Sequence, residues 1–170
     1  ATGAWTYTLD NSLAATTALD ANDAPTETFT LTVSDSASGE SDTMDVVITI
    51  TGANDAPEFA TTGAAGAVTE DATATTATGT VTGTDVDADS SLSYSGGATG
   101  TYGSIVIDAA TGAWTYTLDN SLTATTALDA NDVVTETFTM TVSDGSASDT
   151  MDVVITITGA NDEVDAGPDQ

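Results

Sequence analysis

The 170-residue chain carries 27 Asp and Glu with no Lys, Arg or His, a net charge of −27. A chain without cations cannot neutralise phosphates, which excludes DNA, RNA and an anionic membrane face as partners; without His, Cys or Lys the usual catalytic bases and nucleophiles are missing as well. Apolar residues still make up 39% and are patterned, so the chain is expected to fold, and with no cysteine the bracing left to it is carboxylate with a hard cation.

Residues 1–35 return as 110–144 with 31 of 35 positions identical, and 42–55 return unchanged as 149–162. One repeat is therefore about a hundred residues, the size of one small domain. Three segments follow: 1–55 as the C-terminal half of a repeat, 56–162 as a complete repeat, and 163–170 as the start of a following domain or linker. No apolar run approaches the roughly 18 residues of a membrane span, and no membrane insertion is expected.

In chain order the complete repeat reads as strands, with a period of two. Ala65 to Thr69 suits a first edge strand, followed by short segments around Val81, Leu92 to Tyr94 and Ser104 to Ile107. Trp114, Tyr116 and Leu118 then alternate with threonines, as do Phe138, Met140 and Val142, while Met151, Val153, Ile155 and Ile157 alternate with Asp152, Val154, Thr156 and Thr158. Each strand has one apolar face. Gly96-Gly97, Asp108 to Gly112 and Ser143 to Ser148 supply turns, and Asp119 to Asp129 suits a short helical turn across one end. About seven strands per hundred residues predict an all-β Greek-key sandwich. Trp5 and Trp114, Tyr7 and Tyr116, and Phe29 and Phe138 are in phase with aliphatic residues, so they are expected in the core rather than on a sugar-binding surface.

The acidic residues gather in turns and at unit boundaries. Four clusters stand out: Glu70-Asp71; the triplet Asp85, Asp87 and Asp89; Leu128 to Asp132 with its copy Leu19 to Asp23; and Gly52 to Pro57 with its partial copy Gly159 to Asp162. Two carboxylates about 4 Å apart at an effective dielectric near 20 repel by about 4 kcal/mol, and a divalent cation reverses that sign. Ca²⁺ takes six to eight oxygens, which is what Asp, Asn and backbone carbonyls offer here. Asp85 to Gly96 does not make an EF-hand, since Ser90 stands where Gly is needed and Gly96 where a bidentate Glu is needed. Acidic clusters that recur with the repeat also lack the asymmetric cleft of a glycosidase or metal hydrolase, so no enzyme is expected.

With the Asn-Asp boundary, the Asp triplet and the Leu-Asp turn in this order, the chain resembles bacterial cadherin-like repeats of the VCBS kind, found in large secreted adhesins. The resemblance implies calcium between successive sandwiches. One junction would use Asp20, Asn22 or Asp23, then Asn54 and Asp55, then Asp85, Asp87 and Asp144; the next would draw on Glu70, Asp129, Asn131 or Asp132, Asn161 and Asp162. The chain departs from that pattern in having Gly52 at the position of the linker's first Asp and Asn22 and Asn131 at the position of the turn's Glu. The expected function is an extracellular or bacterial cell-surface extender whose partners are neighbouring repeats. Two alternatives stand beside it: a module binding other surface proteins or glycans, and a fibre subunit completed by strand exchange.

Overall fold

The computed structural model describes residues 3–88 and 90–162. The chain divides into two units, one formed by residues 1–55 with 86–90 and the other by 56–85 with 91–170.

In the first unit a single helical turn, α1 (Ala14–Thr17), precedes the hairpin of β1 (Thr26–Ser34) and β2 (Ser41–Thr49), paired from Thr26 opposite Thr49 to Ser34 opposite Ser41.

The second unit contains β3 (Glu58–Phe59), β4 (Gly63–Thr69), β5 (Thr76–Thr80), β6 (Gly83–Thr84), β7 (Ser93–Ser95), β8 (Ala98–Thr99), β9 (Gly103–Ile107), β10 (Ala113–Leu118), β11 (Val133–Ser143) and β12 (Ser148–Thr158). One four-stranded sheet runs β5-β10-β9-β8 and the other β4-β12-β11-β7, with β3 and β6 paired apart. All pairings are antiparallel except β4 with β12, which is parallel. The chain crosses repeatedly between the sheets, and the architecture is the expected all-β sandwich.

The alternation in sequence decides which face is buried. Trp114, Tyr116 and Leu118 on β10, Phe138, Met140 and Val142 on β11, and Met151, Val153, Ile155 and Ile157 on β12 are all buried in one core with Ile105 and Val81. Burying each such side chain contributes about 1.5–3 kcal/mol against the entropy of ordering it. The Tyr116 and Phe138 rings join the two sheets with centroids 5.8 Å apart. The Trp114 indole lies across Gly79, where a Cβ would sit 2.5 Å from the ring, so only glycine fits beneath it.

One expectation needs correction. Trp5 and Phe29 do not pack in a core: they are 54% and 45% exposed, against 2% for Trp114 and 6% for Phe138. Residues 4–13 are identical to 113–122, yet the first copy forms no strand while the second supplies β10. In the second unit β10 lies between β5 and β9; among the described residues the first unit offers neither neighbour, and an extended segment without a ladder is not a strand. The stretch after β10 forms the expected short helical turn. It closes as successive turns, Thr125 and Thr126 N–H donating to the Leu122 carbonyl at 3.0 Å and Leu128 N–H to Thr125 at 3.0 Å. The triplet's last member, Asp89, and the predicted module entrance 163–170 lie outside the described residues.

Candidate functional site

The register of β11 and β12 sorts the acidic residues of the second unit between two ends. The strands pair from Val133 opposite Thr158 to Ser143 opposite Ser148, and at about 3.4 Å per residue these ends lie about 35 Å apart.

At the Val133 end, Glu70 follows β4, whose Thr69 pairs with Thr158. Glu70 is 2% exposed, and its Oε2 accepts the Ala160 N–H at 3.0 Å. The turn before β11 is closed by Asp132 N–H donating to the Asp129 carbonyl at 2.8 Å and by Asp129 N–H donating to the Asp132 carboxylate at 2.9 Å. Gly159 N–H then donates to the Asp132 carbonyl at 2.9 Å. The structure thus brings Glu70, Asp129 and Asp132 to the end where β12 leaves through Gly159; exposed Asn131 lies in that turn, and Asn161 and exposed Asp162 follow just beyond.

Asp144 lies at the other end. Its carboxylate accepts Ser146 N–H at 2.6 Å and Ala147 N–H at 2.7 Å and so shapes the β11–β12 hairpin. Phe59 N–H donates to Asp149 at 3.0 Å, which ties β3 to this end, and Asp85 follows β6, the partner of β3.

The first unit repeats the turn. Asp23 N–H donates to the Asp20 carbonyl at 3.0 Å, Asn22 N–H to the Asp20 carboxylate at 2.6 Å, and Gly52 N–H to the Asp23 carbonyl at 3.0 Å. Asn54 and Asp55 follow, and Asp55 N–H donates to Asp87 Oδ2 at 2.9 Å. Asp87 is 5% exposed, held in part by Ala88 N–H donating to the Ala18 carbonyl at 3.3 Å.

The glycine at each boundary now has a physical reason. A Cβ on Gly52 would lie 2.1 Å from the Asp20 carbonyl oxygen, and one on Gly159 would lie 2.4 Å from that of Asp129. An Asp in either place would collide with the turn it faces, so close packing of boundary on turn replaces a ligand there.

Chemically, both groups of residues offer oxygen alone, the donor type that hard cations take. Glu70 Oε1 is buried and accepts no hydrogen bond among the described residues, and a buried carboxylate oxygen without a donor favours a cation nearby. Among the described residues no group of three or more acidic side chains is gathered closely enough to hold a metal by itself. An ion at either end would therefore need Asn and backbone oxygens besides carboxylates.

One buried acidic site escaped sequence reasoning. Glu136 accepts the Tyr116 O–H at 2.7 Å and the N–H groups of Thr101 and Tyr102. Burial, then the hydrogen bond to Glu136, raises the Tyr116 pKa, so the phenol stays protonated and donating. Its only signal in sequence is that Tyr and Glu recur together, as Tyr7 with Glu27. By contrast, Asp108 and Asp119 are turn-shaping residues: the Thr111 hydroxyl and the Ser121 hydroxyl, followed by nearby backbone N–H groups, hold their carboxyls below the usual range.

A family model, bacterial cadherin-like domain, matches residues 54–159. Among solved structures the chain is similar to mouse clustered PcdhgC3 EC1-3, at 21% identity and TM-score 0.48 over 79% of this chain and 43% of that one. It is similar also to PcdhgB3 EC1-4, at 20% identity and TM-score 0.50 over 79% and 32%, and to mouse Cadherin-23 EC22-24, at 20% identity and TM-score 0.46 over 78% and 42%. The chain spans less than half the length of each of these structures, and at 20% identity the likeness to PcdhgB3 EC1-4 bears on fold alone. Comparison with curated proteins finds no match. No helix among the described residues is long and apolar enough to cross a membrane.

Proposed function

The chain belongs to the bacterial cadherin-like domain family, a family of adhesion and structural domains, and on that footing we propose that it is an extender segment of a cell-surface or secreted adhesin, stiffened by calcium bound where successive repeats meet. One observation carries this reading. In a chain with no cation of its own, carboxylates and Asn residues collect beside the points where the polypeptide enters and leaves a repeat, and two of those carboxylates, Glu70 and Asp87, are buried. Solubility alone would leave such charges on the outward strand faces, which are mainly Thr.

The residues fit a hard cation. At one boundary the ligands would come from Asp20, Asn22, Asp23, Asn54, Asp55, Asp85 and Asp87; at the other, from Glu70, Asp129, Asn131, Asp132, Asn161 and Asp162, completed by the following module. Asp144 serves its hairpin first and would contribute at the end where Asp85 lies. When bound, calcium would supply positive charge that converts mutual repulsion into a bridge. With an affinity of about 10⁻⁴ to 10⁻³ M and calcium in the millimolar range, each site adds on the order of 1 kcal/mol, and several act together. A string of like-charged sandwiches would then hold a distal binding module away from the cell, on the extracellular side.

Calorimetric titration of the 170-residue chain with calcium tests this. Saturable uptake in the micromolar-to-millimolar range, lost in Asp85→Asn with Asp87→Asn, is expected; the same heats in both proteins would overturn the ligand assignment.

A further inference from the structure

Charge is divided unevenly between the two sheets of the second unit. β11 and β12 carry Glu136, Asp149 and Asp152, whereas β5, β8, β9 and β10 carry no acidic residue, and none stands anywhere from Ala72 to Thr84. At the margin of the uncharged sheet lies β5, which among the described residues pairs with β10 alone.

Hydrogen bonding decides which of its backbone groups turn outward. Val81 N–H donates to the Gly112 carbonyl at 3.0 Å and Leu118 N–H to the Thr75 carbonyl at 2.8 Å, so the odd-numbered residues of this segment are the ones bonded to β10. By the alternation of an antiparallel ladder, the N–H and C=O groups of Thr76, Thr78 and Thr80 point away from β10. One place further along, the outward Thr82 carbonyl accepts Ala60 N–H at 2.9 Å, which leaves Thr76 to Thr80 as the open stretch. The threonine side chains are exposed there, while Ala77 is buried.

We propose that β5 is a strand-addition site whose occupant is β5 of a second copy of the chain. An open edge is ordinarily blunted by a charge, a proline or a bulge; this one has none of them, although the chain has 27 acidic side chains to place. The other outer strands are poorer templates, since β7 and β8 are three and two residues long and β4 is Gly and Ala from Gly63 to Ala67. The sequence of β5 also suits its own copy. Antiparallel pairing about a two-fold axis at Thr78 sets Thr76 opposite Thr80 and Ala77 opposite Gly79, with threonine beside threonine on the exposed face. Repulsion selects the same contact, because two chains of net charge −27 meet at least Coulombic cost where neither presents a carboxylate. A basic partner would find no carboxylate on this strand to pair with. A five-residue ladder is far smaller than the interface of about 1,200 Å² that a stable complex needs, so a single pair is weak, and arrays of repeats gain by pairing several at once. The inference rests on the second unit alone and does not depend on calcium.

The test is residue-resolved amide exchange of the 170-residue chain, dilute and at millimolar concentration, in calcium-free buffer. Exchange at Thr76, Thr78 and Thr80 should slow by about tenfold or more as the chain is concentrated, and more so in 1 M NaCl than in 0.1 M, because screening removes the repulsion that opposes pairing. Thr78→Pro removes one outward N–H and leaves the bonds to β10 whole, and Thr78→Asp sets two carboxylates opposite each other across the axis. Each should abolish the slowing at the remaining amides, whereas Thr78→Val, which keeps the backbone and favours a strand, should retain it. Exchange at these amides that ignores concentration in 1 M NaCl would overturn the proposal, as would slowing of the same size in Thr78→Asp.

Discussion

Replacing Asp87 by Asn changes one buried charge and almost nothing else. The amide is isosteric with the carboxylate, and its oxygen can still accept the Asp55 N–H that Asp87 Oδ2 accepts at 2.9 Å. In chelator two effects oppose each other. Weakening a hydrogen bond to a charged acceptor into one to a neutral acceptor loses about 1 kcal/mol, while removing a 95%-hidden negative charge from a chain of net charge −27 returns a comparable amount. The variant should match the parent within about 1 kcal/mol. In 2 mM calcium the parent gains about 0.6–1.8 kcal/mol for a site of 10⁻³ to 10⁻⁴ M affinity, and the variant gains only a small fraction of that. Urea unfolding of both proteins, with chelator and with calcium, reads the four values. A calcium gain of the same size in both proteins would refute the assignment of Asp87 as a ligand; a loss of several kcal/mol already in chelator would show that its role is structural.

Three further outcomes follow from the geometry. Glu136→Ala leaves the fully buried Tyr116 hydroxyl without its acceptor and frees two N–H groups in a turn that water can reach, so urea unfolding should show a loss of about 2–4 kcal/mol, against about 1 kcal/mol for Tyr116→Phe; equal losses would mean that the carboxylate matters only through the phenol. Gly159→Ala drives a Cβ to within 2.4 Å of the Asp129 carbonyl and should cost about 1–3 kcal/mol, and an unchanged melting temperature would show that the boundary is free of the turn. Asp108 is held below 3.8 by the Thr111 hydroxyl and two backbone N–H groups, so its contribution is present above pH 3.8 and lost as pH falls through the lowered value. The stability gap between the parent and Asp108→Asn should therefore be widest near pH 5 and narrow towards pH 3; a gap that widens in acid would reverse the sign of the argument.

The strands that pack against others in this chain were readable because their alternation reports burial directly. Phe138, Met140 and Val142, and Met151 through Ile157, point inward in phase, and the Gly and Asp turns between them fall where expected. Trp5 through Leu9 shows the limit of that signal: its pattern is the same as that of Trp114 through Leu118, but a strand also requires a neighbour, and pattern does not report neighbours. The acidic turns were legible as clusters, since Asp and Asn recur at fixed positions with the repeat. The reason for Gly52 and Gly159 was not, because it lies in a carbonyl contributed some thirty residues earlier. Glu136 was hidden for a related cause. It occupies an inward position in β11 where an apolar residue fits the period, and only the β8–β9 turn and the Tyr116 phenol, both distant in sequence, make a carboxylate acceptable there.

Small-angle X-ray scattering of an array of several such repeats, titrated from chelator to 5 mM calcium at constant ionic strength, puts the extender reading to its most direct test. A rise in maximum dimension together with loss of the flexible-chain signature, both abolished by Asp85→Asn with Asp87→Asn in every repeat, is the expected result. A profile that does not respond to calcium, or responds equally in the substituted array, would contradict it.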